Sequence, residues 1–265
     1  MGSNPFTVIC ITSAHRKQGK TQLVMRIIEG LTKEGYKVGS IKHIGAQSSF
    51  NGAHVKDTTR HAEAGAKLVV AVTQSEIITH TIDDNPSLPK AIEKFSGDFD
   101  FIIVEGFKKS SYPRFIIIDN AGEIQGLEDR GPVLGITGYI TQNDTELKKL
   151  ETPFPIVEEK DIDKLLAIIK NLRYEQLLTS LPGKNCGECG LKDCQEMAKN
   201  LLEKKVSFNK CPHMTAELSL EIDDTPIVVK DFVQNIIRGS IEGMLQTLKG
   251  VSREPKKIII RIEHV

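Results

Sequence analysis

The sequence predicts an α/β protein, a mostly parallel sheet with helices on both faces followed by a small α+β region. Apolar, β-branched runs alternate with helix-period stretches over the first two-thirds of the chain. A strand–loop–helix unit with the pattern of a phosphate-binding loop opens it. Four of the five cysteines then crowd into one short segment, which marks a different module.

Phe6 to Thr12 reads as a strand buried on both faces, because it has no polar alternation. The loop Ala14-x4-Gly19-Lys20-Thr21 follows, then a helix with Leu23, Ile27 and Leu31 as its stripe, Val24 and Ile28 beside it, and Gly35 as its stop. Val38 to His43 is the second strand, and the Gly/Ser/Asn/His-rich stretch from Gly45 to Lys56 reads as a mobile loop. Asp57 is expected to cap a short helix from Thr58 to Gly65. Leu68 to Thr73 reads as another buried strand, and Ile77 to Ile82 as a shorter, alternating one. Ser87 caps a helix through Phe95, and the apolar strand Phe99 to Val104 closes on Glu105-Gly106. Arg114 to Asp119 and Val133 to Thr137 add two strands, and Asp161 to Arg173 is a closing amphipathic helix. The expected domains are residues 1–174, a cysteine segment at 175–214, and a β-β-α-β tail at 215–265. In the tail, two short strands flank Asp223-Asp224, a helix runs from Asp231 to Lys249, and Ile258, Ile260 and Ile262 alternate as an edge strand.

Composition narrows the function classes. Lys plus Arg and Asp plus Glu both number 35, so no basic field points to nucleic acid or a membrane surface. Tryptophan is absent and aromatics are few, which argues against base-stacking platforms. The start MGSNPF has no apolar signal region, no apolar run approaches membrane-spanning length, and the expected location is the cytoplasm.

The loop carries the chemistry. Successive backbone N–H groups and a helix N-terminus supply fixed positive partial charge for a polyphosphate. Lys20 would reach the β- and γ-phosphates, and the Thr21 hydroxyl would hold Mg²⁺. Ala14 stands where glycine is commoner, which is tolerable if its φ stays negative. The strand–loop–helix order makes the fold a P-loop NTPase-type sheet, whose ligands sit beyond the carboxyl ends of the strands. Three such ends carry unusual residues: the loop itself, Lys42-His43, and Glu105-Gly106-Phe107-Lys108. Glu105 is the expected Mg²⁺-linked acid, and with Lys20 it makes the candidate catalytic pair.

The phosphate loop, Ile41-Lys42-His43, Asp57-Thr58-Thr59-Arg60-His61-x-x-Ala64-Gly65-Ala66 and Val104-Glu105-Gly106-Phe107-Lys108 occur in that order. Over about residues 6 to 172 the chain resembles the molybdopterin-guanine dinucleotide biosynthesis protein B (MobB) family. The resemblance implies a homodimeric P-loop domain that binds GTP with Mg²⁺ and hydrolyses it weakly. It also implies a partner, the guanylyltransferase that attaches GMP to molybdopterin, within the wider molybdoenzyme assembly machinery. It implies that Ala14, Gln18, Gly19, Lys20, Thr21, Gln22, Lys42, Asp57, Arg60 and His61 form the nucleotide-binding set, with Arg60 and His61 near the nucleotide or a partner-facing cleft. Thr141-Gln142-Asn143-Asp144 faintly resembles a guanine-reading loop, and its composition also fits a turn with Asp capping a helix.

The cysteines read Cys186-x2-Cys189-x4-Cys194-x16-Cys211-Pro212, while Cys10 stands alone in the first strand as packing. In a cytosolic chain such a set points to metal before disulfides. Structural zinc usually takes two tight knuckles, and here there is one, followed by a wider step and a distant cysteine, while Gly187 and Gly190 let the backbone fold around a large inorganic core. Met197, Ala198, Leu201 and Leu202 form a helix that brings Cys211 back. Residues 180 to 212 resemble the four-cysteine iron–sulfur domain of electron-transfer subunits and corrinoid-linked enzymes of anaerobes. That resemblance implies a 4Fe-4S cluster on Cys186, Cys189, Cys194 and Cys211 and makes the C-terminal region an iron–sulfur α+β domain.

The leading expectation is therefore a GTP-binding accessory protein of molybdenum or tungsten cofactor assembly, at most a weak GTPase. A nucleotide-gated redox or cluster-transfer protein is the alternative. A nucleotide kinase is weaker, since only Arg60 and Arg114 are candidates for its phosphoryl-transfer arginines.

Overall fold

The computed structural model describes residues 6–15, 18–44, 55–95, 99–213, 220–222, 225–227, 229, 231–248, 258 and 260. The chain divides into two compact units, Pro5–Tyr174 and the remainder, chiefly Glu175–Val265.

In the first unit, strand β1 (Thr7–Ser13) is buried along its whole length and leads through the candidate phosphate loop into helix α1 (Lys20–Lys33). Strand β2 (Val38–Lys42) and helix α2 (Val55–Glu63) follow. Strands β3 (Leu68–Val72) and β4 (Ile77–Thr81) precede helix α3 (Leu88–Ile92), capped by Ser87. Strands β5 (Phe101–Glu105), β6 (Arg114–Ile117) and β7 (Val133–Thr137), the short helix α4 (Asp144–Leu147) and the greater part of the long helix α5 (Ile162–Ser180), up to Tyr174, complete its elements. The central sheet has five strands in the order β2-β5-β1-β6-β7, every neighbouring pair parallel.

Parallel strands need crossovers, and the crossovers bury both sheet faces. Ile9, Ile11, Phe101 and Ile103 pack on one face against α1 and α5 through Leu23, Ile27, Leu31, Leu165 and Ile169. Val8, Cys10, Ile102 and Val104 point the other way, toward Leu88 and Ile92 of α3. Burial raises the pKa of the Cys10 thiol above its ordinary value, as expected of packing rather than chemistry. The result is the expected P-loop NTPase-type sheet, with β1 at its centre and the loop at its carboxyl edge.

Four expectations need correction. The run at Leu68 is not a buried strand of the main sheet: β3 and β4 form a separate antiparallel ribbon. Leu68, Val70, Val72 and Ile77 share its exposed face, Val72 at 73% exposure, and of β3 only Val69 is buried. An apolar run of this length reads the same in both settings, which is why periodicity cannot separate them. Asp57 does not stand ahead of α2 but within it, since the helix is described from Val55. Asn143 rather than Asp144 caps α4, its side chain accepting from the Glu146 N–H. Helix α5 also runs beyond Arg173 to Ser180, stopping just ahead of Pro182 and Gly183.

The second unit contains helix α6 (Cys194–Leu202), the antiparallel pair β8 (Leu220–Ile222) and β9 (Thr225–Ile227), and helix α7 (Asp231–Gln246). Most of the Gly45–Lys56 loop and the expected edge strand at residues 258–262 lie outside the described residues. No described helix is long and apolar enough to cross a membrane.

Candidate nucleotide site and cysteine cradle

Helix α1 begins without a side-chain cap: Gly19 occupies the N-cap position at φ 76°, and the first turn has no acidic residue. Its leading N–H groups therefore face the loop as positive partial charge. Ala14 is not among the described non-glycine residues with positive φ, so the methyl group in place of glycine causes no backbone strain.

The sheet brings distant side chains to this point. The Thr21 hydroxyl lies 2.9 Å and 3.0 Å from the two carboxylate oxygens of Glu105, a residue 84 positions away. Strand order explains the meeting, since β5 lies beside β1, and β2 on its far side delivers Lys42. The Lys42 ammonium donates to the Glu105 carboxylate at 3.1 Å and to the Thr21 hydroxyl at 3.2 Å. Lys20 donates to the His15 carbonyl at 2.8 Å and to the Ser13 hydroxyl. Burial lowers the Lys20 pKa, the positive charges of Lys108 and Lys42 lower it further, and Glu105 partly opposes them. Lys20, Thr21, Lys42 and Glu105 thus form one constellation.

The remaining predicted residues play other parts. Gln18 is nearly buried and turned away from the loop mouth: its carbonyl oxygen accepts from the His15 N–H at 2.8 Å. Its amide donates to Asp119 at 3.0 Å and Glu123 at 2.7 Å, so it braces the loop. Gln22 is exposed on α1. Arg60 and His61 are exposed in the last turn of α2, a helix that packs on β3 rather than on the central sheet. Arg114, a candidate phosphoryl-transfer arginine, is 0% exposed and donates to the carbonyls of Lys108, at 2.8 Å, and Ser110.

Sequence reasoning missed Lys108, Asp119 and Glu123 as parts of the site. The strand-end signal that found Glu105 applies equally to Asp119, which closes the run from Arg114. Lys108 stood in a quoted motif without a role, and its ammonium donates to the Ala14 carbonyl. The turn that carries it is unusual. Gly106 has φ 98°, and a Cβ there would meet the His43 Cβ at 2.8 Å. Phe107 has φ 53°, and its ring lies 4.6 Å from the His43 ring.

In the second unit the four clustered cysteines are free thiols that line one concave site together with Met197 and His213. Gly187 at φ 73° and Gly190 at φ 77° turn the chain around Cys186 and Cys189. Asp193 caps α6 by accepting from Glu196 at 2.8 Å, while Glu196 accepts from the Lys192 N–H at 2.6 Å. This places Cys194 at the first helical position, and its N–H donates to the Asn185 side chain at 3.0 Å. Cys211 is buried and Cys186 exposed. A set of four thiols facing one cradle fits a thiolate-held cluster. Beside it, donor atoms of Cys186, Glu188 and His213 lie within 4.8 Å of one another, a smaller group of mixed donors.

Comparison with known proteins agrees with this division. Residues 8–133 match the family described as "Molybdopterin guanine dinucleotide synthesis protein B", and residues 181–213 match one described as "Putative Fe-S cluster". A Methanocaldococcus jannaschii protein named "Putative molybdopterin-guanine dinucleotide biosynthesis adapter protein" is 26% identical over 254 residues, 94% of each chain. A Bacillus subtilis protein named "Probable molybdopterin-guanine dinucleotide biosynthesis adapter protein" is 31% identical over 129 residues, 47% of this chain and 72% of that one. A crystal structure of Bacillus subtilis MobB superposes with a TM-score of 0.51 at 21% identity, covering 62% of this chain and 98% of that one, which shows a shared fold. The chain therefore belongs to the molybdopterin-guanine dinucleotide biosynthesis adapter (MobB) family, and a segment that matches an iron–sulfur cluster family follows its α/β fold.

Proposed function

We propose that the protein is an adapter of molybdopterin-guanine dinucleotide biosynthesis that binds GTP with Mg²⁺ and presents it to a guanylyltransferase, within the cytoplasm and as a homodimer. The observation that carries the nucleotide reading is the meeting of the Thr21 hydroxyl with the Glu105 carboxylate at 2.9 Å, beside Lys20 and an uncapped helix start. These are the groups a magnesium–polyphosphate needs: a hydroxyl and a carboxylate for the cation, an ammonium and backbone N–H groups for the anion. Lys42 rests on both metal-type oxygens at 3.1–3.2 Å, positive charge where Mg²⁺ would be held. The bound cation would draw charge off the phosphates, and Lys20 would orient them. Hydrolysis would be slow, because binding and charge neutralisation are what this constellation supplies. Arg60, His61 and Asp57 belong to the nucleotide-binding set in this reading, with α2 as the partner-facing element.

Anaerobic titration with GTP and ATP, with and without Mg²⁺, tests it. Mg²⁺-dependent preference for GTP is expected; preference for ATP would break the link to guanine transfer.

The cysteine cradle favours a second role beside the first. Cys186, Cys189, Cys194 and Cys211 would hold a 4Fe-4S cluster, which supplies one-electron chemistry when bound. Nucleotide binding would then gate electron or cluster transfer. An anaerobic preparation that contains zinc and no iron removes this role and leaves the adapter reading intact.

A further inference from the structure

Two ammonium groups converge on the start of the phosphate loop. Lys20 reaches the Ser13 hydroxyl and the His15 carbonyl from α1, while Lys108 reaches the Ala14 carbonyl between them from the turn after β5. Lys42 differs from both, because it is already paired with a carboxylate, Glu105, at 3.1 Å. Among the described residues, Lys20 and Lys108 donate to neutral oxygens. Two like charges held on one three-residue span repel each other, and an anion placed between them relieves that repulsion.

The turn that presents Lys108 is held more firmly than its exposed position requires. Arg114 is completely buried, has no carboxylate partner among the described residues, and spends its guanidinium on the carbonyls of Lys108 and Ser110. The Ser110 N–H closes the turn onto the Phe107 carbonyl at 2.9 Å. Phe107 adopts the left-handed region at φ 53°, where an aromatic residue is disfavoured, and its ring rests on His43. A buried cation and a strained backbone persist where the surroundings over-determine them, and such places cluster at ligand clamps. What this clamp presents outward is the Lys108 side chain.

We propose that Lys108 is a second phosphate cation of the site, which engages the terminal phosphate of a bound nucleoside triphosphate and so distinguishes triphosphate from diphosphate. The inference rests on the nucleotide reading above. The terminal phosphate is assigned because Lys108 follows Glu105, the carboxylate that meets Thr21, by three residues, and its ammonium reaches the loop at Ala14. In the nucleotide reading Thr21 and Glu105 would hold the Mg²⁺ that neutralises the outer phosphates, so the turn leaving Glu105 would border the terminal one. A diphosphate would leave Lys108 on its carbonyl.

The test is calorimetric titration of the full chain, purified anaerobically, with GTP and GDP in the presence of Mg²⁺. Lys108→Met should weaken GTP binding by about tenfold or more, the loss of one charge-assisted contact, and change GDP binding by less than about threefold. Lys109→Met removes the same charge one position on and should alter neither. Lys108→Arg should retain the GTP preference. Equal loss for GTP and GDP in Lys108→Met, or an unchanged GTP affinity, overturns the inference and leaves the nucleotide reading standing. A wild-type chain that binds neither nucleotide overturns both.

Discussion

The candidate nucleotide loop and the cysteine cradle are both proposed ligand sites, yet they are held by different means. Around the loop the ligand-type groups stand on a five-stranded parallel sheet, where Ile9, Ile11, Phe101 and Ile103 are fully buried. Distant residues brace it through Gln18, Asp119, Glu123 and Arg114. The cradle stands on one nine-residue helix, two left-handed glycines and an Asn185 side chain, with Met197 and Ala198 as its buried anchor. A site set on a large core is shaped before its ligand arrives; one built on a short segment takes much of its order from the ligand.

Metal removal breaks this comparison most severely. On the iron–sulfur reading, chelating the metal from the anaerobic protein should open residues 186–213 to proteolysis while the unit Pro5–Tyr174 keeps its cooperative melting. Equal protection of the cysteine segment with and without metal would show that the cradle needs no ligand to hold its shape.

Lys20→Ala should come next in size. It removes a charge-assisted phosphate contact of about 1.5–3 kcal/mol, roughly 10- to 150-fold in GTP affinity, while Gln18 still braces the loop that Lys20 also touches. Unchanged GTP affinity would remove the nucleotide site from this loop. Gly106→Ala acts instead through the frame. At φ 98°, with the new Cβ 2.8 Å from the His43 Cβ, it should destabilise the first unit by about 1–3 kcal/mol, seen as a lower melting temperature. A melting point equal to wild type would mean that the turn after β5 yields easily and is no clamp.

These contrasts also explain what could be read from the sequence. The loop was legible because its motif is contiguous, and Lys42 and Glu105 because strand ends in a parallel sheet gather at one edge. Gln18 was legible as a loop residue but not as a brace, since Asp119 and Glu123 stand 101 and 105 positions away. Arg114 begins an apolar strand, and nothing local says that its guanidinium is buried against two carbonyls. The β3–β4 ribbon was misread because five apolar residues satisfy a buried strand and a half-exposed one alike. In the cradle the spacing and helix were legible, since that order is local, whereas the convergence of His213 and Glu188 on Cys186 was not.

Asp193→Ala sharpens the comparison at smaller scale. Losing the cap of α6 should cost about 1 kcal/mol of local stability, read as faster amide exchange in Cys194–Leu202 of the iron-depleted protein. A cluster held as proposed by Cys186, Cys189, Cys194 and Cys211 should mask the effect, because Cys194 stands at the helix start. Exchange equally fast in the loaded protein would place the order of α6 in its cap rather than in its ligand.

The smallest effect is in pH, and its sign follows from Lys20. Burial, Lys108 and Lys42 lower its pKa in the free protein, so the folded chain disfavours the charged ammonium. Protonated Lys20 therefore costs a little stability at neutral pH, a cost relieved as pH rises through the depressed pKa. A bound polyphosphate reverses the preference and raises the pKa again. Between the two values binding takes up a proton, and GTP affinity should be greatest below the free-state pKa and fall as pH climbs through it. Calorimetry in two buffers of different ionisation enthalpy detects that uptake on the alkaline side. Lys20→Met should abolish it, and Lys108→Met should shift it to higher pH by removing the neighbouring charge. Proton release on binding would mean that the ammonium is not the group the phosphate meets.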